Sequence, residues 1–377
     1  MAPPSPAKRL DWVNVLFLAG SHIVAVAGTA VYVSLHGFSV GALAVFAFFM
    51  IACGFSVTAG YHRLFSHGAY EAHPAVRLFY LIFGAAAFEN SALRWARDHR
   101  MHHARVDEEE DPYNIRKGFW WAHVGWVFYK TPPRDGANHT GDLERDPLVL
   151  WQDRFYLPLA IATGFALPLL IGYIIGDPYG AFLLGGFVRI VLLHHATFCV
   201  NSLAHSIGRQ PYSASDSSRD SFITALVTLG EGYHNYHHTF PFDYRNGVRA
   251  WQFDPSKWII WGLSRLGLAS RLIRTPSHVV IKARLQMQAR RAELFVADHP
   301  RIVEALQAAR QRLEELLDQW GALKARLASV RERVGRSSRE GLDALRFEIA
   351  QAERRIRSVY REWRRALQNP ELLVPAQ

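Results

Sequence analysis

Four apolar stretches punctuate the first 200 residues: 13–35, 40–60, 155–175 and 179–200. Each is close to or above the roughly 20 apolar residues needed to cross a hydrocarbon core, so each predicts a membrane-spanning helix. A fifth, 75–88, is too short to span, and is expected to be buried under a polar domain or to lie in the membrane interface. The linkers 36–39 and 176–178 contain no Lys or Arg, whereas the N-terminal tail, 61–154 and everything after 205 contain many. That asymmetry predicts that both termini and the polar segments face the cytoplasm. Arg189 lies inside the fourth apolar stretch, where a charge is costly, so it should face the protein interior or a wet cavity. The first stretch is longer than a signal-peptide core and a second soon follows it, which predicts a retained span.

Beyond residue 277 the period changes. Leu306, Leu313, Trp320, Leu327 and Val334 recur every seven residues, with Ala309, Leu316, Leu323 and Val330 on the second seam. Gly335, Ser337 and Ser338 interrupt this run. A second follows through Leu342, Leu345, Ile349, Ala352, Ile356, Val359 and Trp363. Two heptad helices around a short break predict an antiparallel hairpin, packed on itself or on a partner. The expected fold is therefore all-α. Residues 1–276 form a four-helix membrane domain with a cytoplasmic helical cap, and residues 277–377 form a basic, coiled-coil-like tail.

Composition adds two points. The tail carries 20 Lys/Arg against 13 Asp/Glu, so +7 of the formal +10 resides there. This marks a solvated face or one suited to anionic headgroups or an acidic partner, with no nucleic-acid role expected. The two cysteines, Cys53 and Cys199, sit in apolar runs, which argues against a disulfide framework or a thiolate zinc site.

Histidine is the unusual residue: there are 18. His22, His36, His73, His139, His278 and His299 stand apart from the clusters and are read as packing or surface residues. His99, His102 and His103 form H-x2-H-H, and so do His234, His237 and His238. On a helix, positions i, i+3 and i+4 share a face, so each cluster can aim three imidazoles at one point. Asn201 and His205 share a face by the same rule. His62 and His67 are five apart and diverge by about 140° on an α-helix, so they converge only if the chain bends between them. Nine histidines are too many for one tetrahedral zinc and suit two five- or six-coordinate metals. Imidazole accepts Fe, Zn, Cu and Ni alike. Each box lies near the cytoplasmic end of a span, so an apolar substrate could lie between spans beneath the metals. Thr58, Gly54 and Met50 share the face of His62 and could shape the far end of such a tunnel.

The segments His62-Arg-Leu-Phe-Ser-His67, Trp95-Ala-Arg-Asp-His99-Arg-Met-His102-His103, Asn201-Ser-Leu-Ala-His205 and Glu231-Gly-Tyr-His234-Asn-Tyr-His237-His238 resemble the boxes of the stearoyl-CoA (Δ9) acyl desaturase family. Asp111-Pro112-Tyr113-Asn114 and His123-Val124-Gly125-Trp126 extend the resemblance, which covers about residues 15–270. It implies a di-iron, O2-dependent enzyme that puts a cis double bond, expected at Δ9, into a long acyl chain carried on CoA or lipid. Carried over by position, His62, His67, His99, His103 and His237 would hold one iron. His102, His205, His234 and His238 would hold the other, with Asn201 reaching it through a water. Trp95 and Thr197 match positions lining the bend of the acyl tunnel. Glu89 stands beside Asn90 where many relatives carry Gln, so contacts there are expected to differ. Asp98 and Glu231 are expected to orient ligand N–H groups, and His194 and His195 match no ligand position. The His-Pro-Gly-Gly haem signature of a fused cytochrome b5 is absent, so electrons are expected from a separate ferredoxin, rubredoxin or cytochrome b5. The tail lies outside the resemblance and is expected to serve oligomerisation or partner binding.

Three rivals make different predictions. A hydroxylase with the same centre would add one oxygen where a desaturase removes two hydrogens. A metal transporter would spread ionisable residues through the spans, whereas nearly all of these lie outside them. A membrane-anchored scaffold would depend on the heptad tail.

Overall fold

The computed structural model describes residues 9–130, 140–333 and 339–368. The expected turn at Gly335, Ser337 and Ser338, the seam residue Val334 and His139 lie outside the described residues. Two compact units divide the chain: Met1–Arg209 with Ser215–Arg274, and Gln210–Ala214 with Thr275–Gln377.

The first unit is built on four apolar helices long enough to cross a membrane: α1 Trp12–His36, α2 Val40–Ser66, α7 Tyr156–Ile175 and α8 Pro178–His205. Between α2 and α7 lie α3 Pro74–Ala85, α4 Ala92–Ala104, α5 Phe119–His123 and α6 Pro147–Arg154; after α8 come α9 Phe222–Val227, α10 His234–Thr239 and α11 Pro255–Arg265. A two-stranded antiparallel ribbon pairs β1 Glu71–Ala72 with β2 Ala269–Ser270. It ties the chain just past His67 to the end of the unit.

The helix ends follow from local chemistry. Asp11 accepts from the amides of Val13 and Asn14 at the start of α1, and Ser39 accepts from Ala42 at the start of α2. Gly176, at φ 80°, ends α7 in the left-handed conformation that glycine tolerates best. Pro178 opens α8 with Asp177 capping Gly180. Tyr32, one turn before the end of α1, donates to Asp177 in the loop between α7 and α8 (2.5 Å).

Helices α2 and α8 run six and five residues past the apolar windows seen in sequence, to Ser66 and His205. The extension of α2 is a π-helix, Ser56–Ser66, buried almost throughout. The short apolar segment forms α3, which packs Tyr80, Leu81, Gly84 and Ala85 inward against that π-helix. Contact there is close: a Cβ at Gly60 would lie 2.7 Å from Tyr80 Cβ.

Arg189 is fully buried and donates to backbone carbonyls from three elements: Gly185 (3.0 Å), Gly164 (3.3 Å) and Ala86. The Gly164 and Gly185 carbonyls lie in π-helical turns, Ala162–Ala166 and Leu183–Val188. The guanidinium thus binds α7 and the Ala86 loop to α8, with no carboxylate among the partners shown.

In the second unit, the two heptad helices, α13 Pro300–Arg333 and α14 Arg339–Gln368, pack with a third, α12 Ser277–Phe295. Leu285 and Ala289 of α12, Leu306, Leu313, Leu317 and Trp320 of α13, and Leu345, Ile349 and Trp363 of α14 share one core. Leu317 is fully buried and the expected Leu316 only partly. A helix with two neighbours needs an apolar face wider than a two-helix seam. Trp363 donates to Gln288 (3.3 Å), joining α14 to α12.

Arg189→Leu should lower the stability of the membrane unit by about 2–4 kcal/mol, because each stranded buried carbonyl costs about 1–3 kcal/mol. Thermal unfolding of the purified protein in detergent, with the variant unfolding lower, checks this.

Candidate metal centre and cavity

Nine histidines converge in two groups. The ligand-capable atoms of His62, His67, His99, His103 and His237 all lie within 4.8 Å of one another, and those of His102, His205, His234 and His238 form a second such group. The H-x2-H-H triplets of α4 and α10 do not aim at one point as the spacing alone suggests: α4 gives His99 and His103 to the first group and His102 to the second, and α10 gives His237 to the first and His234 and His238 to the second. The H-x4-H pair needs a different device. The amide of His67 bonds the carbonyl of His62 (3.1 Å), the i→i+5 bond of a π-helix. That wider pitch brings residues five apart closer to one face, and His67 caps the helix end, so the rings of His62 and His67 sit 5.0 Å apart between centroids. His205 joins from the end of α8, and Asn201, one turn earlier, lines the adjoining cavity.

In three of the rings a carboxylate, directly or through a hydroxyl, sets which nitrogen carries hydrogen. His62 Nδ1 lies 2.9 Å from Glu231 Oε2, and His102 Nδ1 lies 2.8 Å from Asp111 Oδ1. His205 Nδ1 bonds Ser217 Oγ (2.8 Å), which donates to Asp107 (2.6 Å). With hydrogen at Nδ1, each Nε2 turns a bare lone pair toward the group centre. There His62 Nε2 is 2.9 Å from His237 Nε2 and His102 Nε2 is 3.3 Å from His238 Nε2. His205 Nε2 and His237 Nδ1 are buried with no hydrogen-bond partner. Burial and then mutual repulsion hold His67, His99, His103, His234, His237 and His238 well below the usual imidazole pKa. Neutral imidazoles with converging lone pairs are the donor form a metal ion takes, and without a cation they repel. The residues present therefore fit two metals with nitrogen ligands.

The Glu231 carboxylate turns to His62 rather than to His234, its near neighbour in sequence. It bridges His62 to Arg63, whose Nη2 lies 2.9 Å from Glu231 Oε1. Burial opposes its charge, but Arg63 and His62 prevail and hold the carboxyl at about 2. Arg63 also pairs with Asp254 (2.9 Å) and donates to the Tyr244 carbonyl (2.8 Å). Asp98 lines the cavity. Sequence reasoning missed Asp107, Asp111 and Ser217. Asp111 heads the Asp111-Pro112-Tyr113-Asn114 motif without a role being read for it, Asp107 stands out only as a member of the acidic run at 107–111, and Ser217 carries no signal at all.

A cavity of about 1190 Å³ adjoins the histidines. Its wall includes His62, His99, His102 and His234, with Gly54, Thr58, Glu89, Asn90, Trp95 and Thr197. Met50 does not line it and packs instead against the cluster of Val45, Phe49 and Cys53. A Cβ at Gly54 would meet Leu229 Cδ1 at 2.6 Å, so the space there depends on glycine. Trp95 stacks on His99, with centroids 4.9 Å apart. His194 and His195 stay out of both groups. His194 bonds the Ala87 carbonyl (2.9 Å), and His195 lies between His22 and His123 at 3.0 Å from each.

Glu231→Gln should weaken metal retention about 10–100-fold, the usual effect of losing a carboxylate that orients a ligand. Metal content after dialysis against a graded chelator checks this, with wild type as reference.

The fatty acid desaturase family model matches residues 9–269. The probable acyl-CoA desaturase of Schizosaccharomyces pombe is 44% identical over 283 residues, 74% of this chain and 58% of that protein. Acyl-CoA desaturase 1 of Saccharomyces cerevisiae is 41% identical over 288 residues, 74% of this chain and 55% of that protein. The human stearoyl-CoA desaturase is 36% identical over 272 residues, 71% of this chain and 75% of that protein. The chain thus spans little more than half the length of the two yeast relatives. By the extent of the family match and of the human alignment, it belongs to the fatty acid desaturase family.

Proposed function

We propose that this chain is a membrane acyl-CoA desaturase that forms a cis Δ9 double bond with two irons and an external electron carrier. The observation that carries the reading is the pair of converging histidine groups set in the wall of a large cavity between apolar helices. Iron and the CoA carrier are favoured by the family and by the relatives' names. Arg94, Arg97 and Lys130 on the cavity wall supply the charge that CoA phosphates would need.

His62, His67, His99, His103 and His237 would hold one iron. His102, His205, His234 and His238 would hold the other, with Asn201 reaching it through a water. When bound, the irons would supply O2 activation and the power to remove hydrogen from an unactivated CH2. The chain supplies everything else. Glu231, Asp111 and the Ser217–Asp107 pair hold ligand rings in one tautomer and orientation. Phe17, Val57, Phe88 and Leu193 line the cavity and exclude water from the acyl chain. Trp95 and Thr197 present side chains from two helices to the same space, which would fix the carbon pair next to the metals. By charge asymmetry, both termini and the histidine groups face the cytoplasm.

Cells expressing this chain should gain monounsaturated acyl chains two hydrogens lighter than their precursors, and His102→Ala should abolish the gain. Acyl chains one oxygen heavier would replace this reading with hydroxylation. Elemental analysis of active protein should give about two irons per chain; one zinc and no iron would refute the metal assignment.

We assign residues 277–377 a docking or assembly role, because all nine proposed ligands precede residue 240. A chain ending near Ser277 should keep its iron and its activity with a supplied donor, but run at a smaller assembly size in detergent. Iron loss with the spans correctly inserted would overturn that division.

A further inference from the structure

The cavity contains a carboxylate where the desaturase reading wants only apolar surface. Glu89 lines it among Phe17, Phe88, Leu193, Ala196 and Phe198. Its position is built rather than incidental. The residues on either side, Phe88 (φ 60°) and Asn90 (φ 77°), hold left-handed conformations uncommon outside glycine. Three side chains clamp this loop: Arg189 donates to the Ala86 carbonyl, His194 bonds the Ala87 carbonyl, and Tyr156 Oη accepts from the Asn90 amide.

Glu89 has two polar contacts. Trp95 Nε1 donates to Oε2 (3.3 Å), and Thr197 Oγ1 donates to Oε1 (2.8 Å). The two partners differ in what they allow. An indole N–H only donates, so Oε2 stays an acceptor in either protonation state. A hydroxyl can rotate from donor to acceptor, so a proton on Oε1 would simply reverse the Thr197 bond. The pair therefore accommodates both the charged and the neutral acid without moving a heavy atom. An ionised carboxylate facing an acyl chain would lose its hydration while neither Trp95 nor Thr197 supplies a cation, whereas the neutral acid keeps both bonds.

We propose that Glu89 couples acyl-chain binding to the uptake of one proton, so that the substrate enters against a neutral carboxylic acid. The proton comes from solvent and settles on Oε1; no other bond is made or broken. The inference rests on the acyl reading of the cavity. Burial already pushes the Glu89 carboxyl up to about 7, against the opposing pull of Thr197 and Trp95. Filling the cavity raises it further. Below that value binding needs no proton; above it each bound chain must recruit one, so affinity falls as pH rises. The other titratable or charged groups around Glu89 are Cys53 and Tyr61 on α2, Arg94 on α4, Tyr156 on α7, and Arg189 and His194 on α8. A Gln at 89 isolates the Glu89 contribution, because its amide reproduces the protonated pattern: oxygen to Trp95, N–H to Thr197.

The test is binding of a C18 acyl-CoA to the iron-loaded full chain between about pH 6.5 and about pH 8.5, with free coenzyme A as reference. Wild type should lose affinity above about pH 7 with a slope approaching tenfold per pH unit. Glu89→Gln should stay flat and bind more tightly than wild type at the alkaline end. In weak buffer near pH 8, wild type should take up close to one proton more per bound chain than the variant does. Parallel pH curves for the two proteins, or no excess proton uptake by wild type, would overturn the inference while leaving the acyl cavity intact. Binding of acyl-CoA no tighter than coenzyme A, in both proteins at every pH, would overturn the acyl reading and this inference together.

Discussion

Nine imidazoles gathered into a group of five and a group of four, the ligand-capable atoms of each within 4.8 Å of one another, form an arrangement that repels itself where the lone pairs converge. The remainder of the membrane unit is arranged to hold it. Convergence comes from helices at two pitches: α4 and α10 supply i, i+3, i+4 triplets, and the π-helical end of α2 supplies an i, i+5 pair. Orientation comes from hydrogen bonds to Nδ1, made by groups that are themselves tied down. Glu231 is held by Arg63, Arg63 by Asp254 and the Tyr244 carbonyl, and Asp254 by the amides of Asn246 and Gly247. A run of sequence from 231 to 254 is thereby fastened to α2, close to 180 residues away along the chain. Because the imidazoles repel without a cation, metal affinity and the stability of this unit are one quantity measured in two ways.

Much of this was legible from residue spacing, and the limits have physical causes. Apolar length places four spans because lipid demands it. The H-x2-H-H boxes read as three imidazoles on one face of an α-helix, but spacing alone does not show that each box divides between the two groups, because the helices sit where both groups are within reach of that face. The H-x4-H box misled, because α-helical arithmetic separates its rings and suggests a bend where the chain instead changes pitch. No local pattern distinguishes a π-helix from an α-helix in Ser56–Ser66. Glu231 was legible as a carboxylate near ligands, but its target, His62, depends on long-range packing. Ser217 and Asp107 act from loops, where no periodicity constrains which side chain meets which. In the tail, heptads found α13 and α14 but not α12. That helix has a weak apolar pattern of its own and buries Leu285 and Ala289 against two stronger neighbours.

Buried charge is handled in two ways, and the contrast follows from what lies nearby. Arg189 sits deep among the spans and is satisfied by carbonyl oxygens alone, three of them from different elements. Carbonyls disperse a cation's charge without adding an anion that would need its own partner in an apolar layer. Arg63, one residue from a proposed ligand, is instead matched to two carboxylates. Two cations near a metal centre would raise the cost of placing a third charge there, so Arg63 has to be neutralised outright.

The same accounting explains why acidic groups ring the histidines without joining them. Nine neutral imidazoles would offer two iron ions strong bonds but no compensating charge. Glu231 and Asp111 stand one hydrogen bond beyond the rings and Asp107 two, all buried, with their charge directed through His62, His102 and, by way of Ser217, His205. At that remove they would stabilise cationic metals through the imidazoles that would hold them. A carboxylate moved inward would bind hard and could bridge the ions. Held outward, it lowers the electrostatic cost of the centre and fixes each ring's tautomer with the same contact.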